Sequence, residues 1–185
     1  MNIFYLDLCP RKSAEYMGDK HVVKMVLETA QILSTAHRVV DGEYWLDTSG
    51  KRSVKRWKHY DRDFEQNLYK ATHINHPSVI WARESTQNYQ WTRDHFNALC
   101  AEYTYRYSRK HKCEGLAEFL DQTPINIEHH SFRAPPMAMP DRYHIPHDVV
   151  QSYRNYYINE KRNMHKWTKR DGPDWLIGEA SSFSI

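Results

Sequence analysis

Apolar residues recur at helical spacing between residues 20 and 39: Val22, Val23, Val26, Leu27, Ala30, Leu33 and Ala36. Steps of three and four put them on one stripe, so the pattern predicts a long amphipathic helix. Asp19 is its predicted N-cap, and Gly18 breaks what precedes it. Residues 2–8, NIFYLDL, form a short apolar run and are predicted as a buried strand or extended segment. Pro10 then opens a short helical turn that runs to about residue 17.

Past residue 41 the periodicity changes. DGEYWLDTSGKRSVKRW (41–57) holds turn residues between two short segments, which predicts a small β-hairpin or a loop near 42–58. A helix near 61–71 follows. THINHPS (72–78) is a loop whose Pro77 and Ser78 begin the next helical stretch. Helical pattern runs from about 79 to 109 with a break near Ser85, and a short helix covers 114–121. Residues 122–146 contain Pro124, Pro135, Pro136, Pro140 and Pro146 and no long period. They are predicted as a long irregular loop, a feature often tied to function. A last helix covers 148–162, and the tail is irregular. The expected fold class is mainly α, a single domain over 1–185.

Composition narrows the setting. The sequence is 40% hydrophobic and 26% charged, which is ordinary for a globular chain that buries its own core. No apolar run is long enough to span a membrane, and the start of the chain lacks the basic flank of a secretion signal. Cys9, Cys100 and Cys113 are far apart and form no CxxC pair, so reduced thiols and a cytoplasmic protein are expected. With 13 Tyr and 6 Trp, the chain has many side chains that can both pack and line a cleft for flat ligands. The net charge of +3 is too small to argue for nucleic acid by itself. Its distribution adds something: Lys and Arg surround Trp57, gather from Arg106 to Lys112 beside Tyr105 and Tyr107, and surround Trp167. Basic groups interleaved with aromatics suit phosphate contact plus base stacking, although solvated faces look the same.

Candidate chemistry sits on the long helix. His21, Lys24, Glu28 and Gln31 follow one another at steps of three, four and three, on a stripe opposite the apolar one. A histidine, an amine, a carboxylate and an amide projecting from one rigid element suit acid–base work. The same spacing also fits a solvated face with a routine Lys24–Glu28 pair. His73, Asn75 and His76 precede a helix start, and Arg83, Asn88 and Tyr89 fall at the next junction; all six are candidate substrate-binding residues. Twelve histidines invite a metal, but no HExxH or comparable signature is present. Neither a metal nor another cofactor is expected.

MNIFYLD, DKHVVKMVLETAQILSTAHR, THINHPSVIWARES, ALCAEYTYRY, the MPD at 139–141 and the closing Pro173-Asp174-Trp175 resemble a widespread family of phage proteins. Asp19-x-His21 followed by Glu28, on one helix after a short N-terminal segment, is also similar to the phage pyrimidine-dimer DNA glycosylases of the endonuclease V type. That resemblance implies an all-helical, DNA-acting glycosylase or glycosylase/AP-lyase that forms a Schiff base through its N-terminal amine. It implies that Glu28 assists the amine, that His21 lies nearby, and that Lys24 and Gln31 occupy places where basic neighbours are expected. The family exposes a small residue by removing Met; residue 2 here is Asn, so either Met1 supplies the amine or the chain uses no Schiff base. The implied partner is double-stranded DNA carrying a damaged or modified base. Two other readings stay open: a nuclease or nucleotide phosphohydrolase using the histidines, and a non-catalytic binder of nucleotides or of a host protein.

Overall fold

The structure, a computed structural model, describes residues 1–176. It is mainly helical, with one small sheet. Residues 2–8 form no strand: they are an irregular segment in which Ile3, Phe4, Tyr5 and Leu6 are buried. Phe4 adopts a left-handed backbone (φ 52°), an uncommon state for a bulky residue. It is held there by local bonds. Asn2 Oδ1 accepts from Ile3 N (2.7 Å) and Phe4 N (3.2 Å), and Ser13 Oγ donates to Phe4 O (3.1 Å).

Helix α1 (Pro10–Glu15) is followed by α2 (Asp19–Asp41). The N-cap of α2 is Gly18 and not Asp19. A Cβ at Gly18 would lie 2.2 Å from the Met164 carbonyl oxygen, so only glycine fits that close approach. Asp19 is freed from capping to receive Thr168 N (2.9 Å), Thr168 Oγ1 (2.8 Å) and Arg106 Nη1 (3.1 Å). Burial pushes its carboxyl up, but those bonds outweigh burial and leave it below the ordinary value. The apolar stripe of α2 is buried as predicted at Val22, Val26, Ala30, Leu33 and Ala36, and Met25 and Ile32 join it. Val23 and Leu27 of that list are exposed at 38% each, so the buried stripe is rotated about the helix axis toward Met25 and Ile32 relative to the predicted one.

At its far end α2 passes directly into a hairpin of β1 (Gly42–Asp47) and β2 (Val54–His59), antiparallel with Gly42 opposite His59 and Tyr44 opposite Trp57. A Cβ at Gly42 would meet Arg38 O at 2.3 Å, which explains glycine at this corner. The hairpin projects: Tyr44, Trp45 and Leu46 are each about half exposed. Arg38 roots it. Its guanidinium donates to Trp57 O (3.2 Å), Tyr69 O (2.7 Å), Glu65 O (2.9 Å) and Leu68 O (3.0 Å), and pairs with the Glu65 carboxylate.

Then come α3 (Arg62–Asn67), capped by Asp61, and α4 (Pro77–Ala82), capped by His76. The break near Ser85 is real, because Ser85 caps the next helix, α5 (Thr86–Tyr107). α5 lies along α1 and α2 and buries Tyr89, Phe96, Leu99 and Tyr103. It ends at Ser108 in the left-handed region (φ 55°). A 3-10 turn and the short α6 (Ala117–Leu120) precede the predicted long loop, and α7 (Val149–Glu160), capped by Asp148, follows it. The loop is anchored: Tyr153 donates to Pro136 O (2.8 Å), and Trp81 Nε1 donates to Arg133 O (2.7 Å).

Candidate active site

Glu28 is the centre of the arrangement. It sits midway along α2 with its side chain 15% exposed. One carboxylate oxygen accepts from the Asn2 backbone N–H at 3.3 Å, and the other lies 3.2 Å from Lys24 Nζ. The N-terminal segment therefore crosses α2 at Glu28. Asn2 fixes the crossing, because its Nδ2 also donates to Ala138 O of the long loop (2.8 Å). Consecutive backbone nitrogens are at most about 3.7 Å apart, so the Met1 nitrogen lies within about 7 Å of the Glu28 carboxylate. Asn2, unlike Glu28, carried no signal in the sequence pattern, being a lone polar residue ahead of an apolar run.

His76 shares this neighbourhood. Burial lowers its pKa first, the positive N-terminus and His73 lower it further, and Glu28 raises it. Its Nδ1 accepts from Ser78 N (3.2 Å), so in the neutral ring the proton rests on Nε2. The loop that presents it is braced from within. His76 N donates to His73 O (2.8 Å), His73 takes a left-handed backbone (φ 49°), and Arg83 Nη2 donates to Ile74 O (2.8 Å). Arg83 Nη1 is buried with no hydrogen-bond partner among the described residues. His73 and Asn75 are exposed, and Gln31 is half-buried on the Glu28 stripe. α4 is too short for its dipole to matter, and its cap is taken by His76 itself.

His21 is placed differently from the expectation. It shares the stripe with Glu28 but sits two turns away, about 10 Å along the helix axis. It is 1% exposed, with Phe4 packed against its ring (centroids 4.7 Å apart). Tyr157 accepts from Gly18 N (2.8 Å), so at its 2.8 Å contact with His21 Nδ1 it donates. Burial, with Lys161 and Lys24 adding to it, pushes His21 down to about 4. It is a neutral, buried prop under the N-terminal segment.

Three further residues are drawn into the framework. Asn88 is 1% exposed, donating to Trp81 O (3.0 Å) and accepting from Arg133 N (3.1 Å). Tyr89 is fully buried and donates to Leu120 O (2.9 Å). Arg106 is 2% exposed and spends its donors on Glu102 (2.6 Å), Met17 O (2.8 Å), Asp19 (3.1 Å) and Glu15 O (3.0 Å). Arg170 grips the same Glu102 (2.7 Å). These residues read as polar and available in one dimension, and tertiary packing consumes them. Trp57 stays on the projecting hairpin, edge-on to Tyr44 (5.3 Å). Trp167 is half-buried and donates from Nε1 to Tyr16 O (3.2 Å).

No helix among the described residues is long and apolar enough to cross a membrane. The model of one protein family, described as pyrimidine dimer DNA glycosylase, matches residues 1–115. That stretch contains Asn2, Lys24, Glu28, His73, His76 and Arg83. No match is found among curated proteins or among solved structures.

Proposed function

The chain belongs to the pyrimidine dimer DNA glycosylase family, and from that premise we propose that it excises a damaged or modified base from double-stranded DNA at Glu28. A general DNA glycosylase-like role follows from the family; the chemistry below is our reading of the site. The observation that carries it is the 3.3 Å contact between Asn2 N and the Glu28 carboxylate, which brings Asn2 to the largely buried carboxylate of the stripe.

A primary amine at this point attacks C1′ of the target nucleotide. The glycosidic bond breaks and the base leaves with one of the amine's protons; the C1′–O4′ bond then opens, O4′ takes the other proton by way of Glu28, and nitrogen is left in a Schiff base to C1′. Glu28 takes the role of proton acceptor and of counter-charge to the cationic sugar. In a protein produced to start at Met1, its amine lies within reach. If Met1 is removed, the nitrogen already facing Glu28 becomes the amine. Lys24, 3.2 Å from Glu28, and His76, which feels both Glu28 and the N-terminus, suit phosphate and base contacts at this point, and in this reading Gln31, His73, Asn75 and Arg83 are further contacts to the DNA. His21 acts as a positioning residue through Phe4. Reaching the sugar requires the nucleotide to leave the stack, at a cost of a few kcal/mol that damaged bases reduce.

The test is a panel of damaged and modified duplexes, read for abasic sites and strand breaks, with borohydride added in parallel. A covalent protein–DNA adduct is expected, formed in EDTA as well as without it, and its mass-mapped attachment site identifies the nitrogen. An N-terminal extension should abolish trapping. Base release without any adduct would replace the amine with an activated water. Cleavage lost in EDTA and restored by metal would point instead to a phosphohydrolase.

A further inference from the structure

Where α2 runs into the hairpin, a second polar cluster is assembled far from Glu28. One ring nitrogen from each of His37 and His59 and a carboxylate oxygen of Asp41 all lie within 4.8 Å of one another. His37 and Asp41 are one turn apart on α2, and His59 closes the hairpin opposite Gly42. They line a cleft of about 100 Å³ together with Gln122 and Phe64.

The neighbours fix how these groups are protonated and aimed. The Tyr89 hydroxyl donates to Leu120 O, so at its 2.8 Å contact with His37 Nε2 it accepts. Gln122 O, 3.0 Å from the same nitrogen, can only accept. His37 Nε2 therefore carries the ring proton, and Nδ1 keeps its lone pair. Burial, the largest influence, pushes His37 down to about 4, so it is neutral near pH 7. An imidazole whose far N–H rests on a backbone carbonyl is oriented as metal-binding histidines are. Asp41 is fixed in the same manner. Its Oδ1 accepts from Asn126 N (2.9 Å) and Nδ2 (3.0 Å), and its Oδ2 from Ile125 N alone (2.8 Å), which leaves Oδ2 with spare acceptor capacity.

His59 supplies the independent observation. It is 3% exposed, and its Nε2 is buried with no hydrogen-bond partner among the described residues. Leaving such a group unsatisfied costs about 1–3 kcal/mol. We propose that His37, Asp41 and His59 bind a divalent transition-metal ion of the zinc class, which clasps the base of the hairpin to α2. Two imidazoles and one carboxylate suit a borderline ion, whereas magnesium and calcium take sets of oxygens. Metal–nitrogen bonds of about 2.0–2.1 Å require the three donors to close in by roughly 1–2 Å.

Binding entails one proton shift. Asp61 N donates to His59 Nδ1 (3.1 Å), so His59 Nε2 holds the ring proton in the free protein. For Nε2 to ligate, that proton moves to Nδ1 and the ring stays neutral overall. Asp61 lies on the surface, where water can replace the bond it gives up. His37 is nine residues beyond Glu28 on α2, about 13 Å along the axis, so the ion takes no part in chemistry at Glu28. The proposal stands or falls independently of the glycosylase reading.

The experiment uses the whole chain, stripped with EDTA and dialysed, then titrated calorimetrically with zinc chloride and separately with magnesium chloride. One equivalent of zinc should bind, magnesium should not, and zinc should raise the melting temperature. His59→Phe keeps the stacking on Tyr60 and Phe64 and should weaken zinc binding at least about tenfold. Asp41→Asn, which keeps an acceptor oxygen for the loop, should weaken it as well. The absorption spectrum of the cobalt-loaded natural protein should show the intense visible bands of four-coordinate nitrogen and oxygen ligation, a readout that needs no variant. Absence of stoichiometric zinc binding would overturn the proposal. So would an affinity unchanged in both variants, since zinc held by exposed histidines survives them.

Discussion

The backbone N–H of Asn2 points at the Glu28 carboxylate across 3.3 Å, joining the first residues of the chain to the middle of its longest helix. Glu28→Gln keeps the size of the side chain and an acceptor for Asn2. It should fold normally and lose at least about tenfold in base-release rate, roughly 1.4 kcal/mol of barrier. Single-turnover kinetics with matched melting curves check this, and an unchanged rate would remove Glu28 from the chemistry.

Acid should destabilise the fold before its carboxylates titrate. His21 and His95 are held near 4 mainly by burial, while an unfolded histidine titrates near 6.5. Between those values the unfolded chain binds more protons, so stability is complete above about 6.5 and declines as the pH falls toward 4. Each buried histidine contributes on the order of 3 kcal/mol to that decline. Urea midpoints measured in EDTA across the window should fall steadily; a flat profile down to about pH 4.5 would contradict the burial of these rings.

Arg106→Met should unfold the protein readily, and not through any effect on DNA. The substitution leaves Glu102 and Asp19 without the guanidinium that joins them, a kind of loss that costs about 3–5 kcal/mol. Chemical denaturation gives the size of the loss. Arg93→Gln, which removes a more exposed pair with Asp94, should cost under about 1 kcal/mol.

DNA affinity should fall steeply with salt, and the hairpin should account for part of the slope. Lys55 and Lys58 project from β2 beside Trp57. If both touch phosphates, changing both to Gln should flatten the log–log salt slope by about 1.8. Trp57→Ala should weaken binding with the slope retained, because stacking releases no counterions. A slope insensitive to the two lysines would return the hairpin to ordinary surface.

The long helix was legible because burial on one face leaves a 3.6-residue signature, and Val22, Val26, Ala30 and Leu33 carry it. The hairpin and the Ser85 break were legible from turn and cap chemistry. Asp19 was misread as a cap because nothing local shows that Thr168 and Arg106 claim its carboxylate. The burial of Asn88, Tyr89 and Arg106 was hidden for the same reason: partners distant in sequence satisfy their polar atoms. Glu28 stood out by spacing, yet its contact with Asn2 depends on how an irregular segment crosses the helix. The trio of His37, Asp41 and His59 was invisible, since its members lie on two elements and only the helix-to-hairpin corner unites them.

The cluster around Arg106 gathers Glu15, Met17, Asp19, Glu102, Thr168 and Arg170, residues far apart along the chain and so made at different times. Until Thr168 and Arg170 have been added, Asp19 and Glu102 lack part of the positive and hydrogen-bonding company that lets them be buried. A nascent chain that has completed α2 and α5 can pair those helices through their apolar stripes, but it cannot close this polar layer. Final tightening therefore waits until residues 168–170 have been made, and a chain stopped near residue 160 should emerge as a loosely packed substrate for chaperones and proteases.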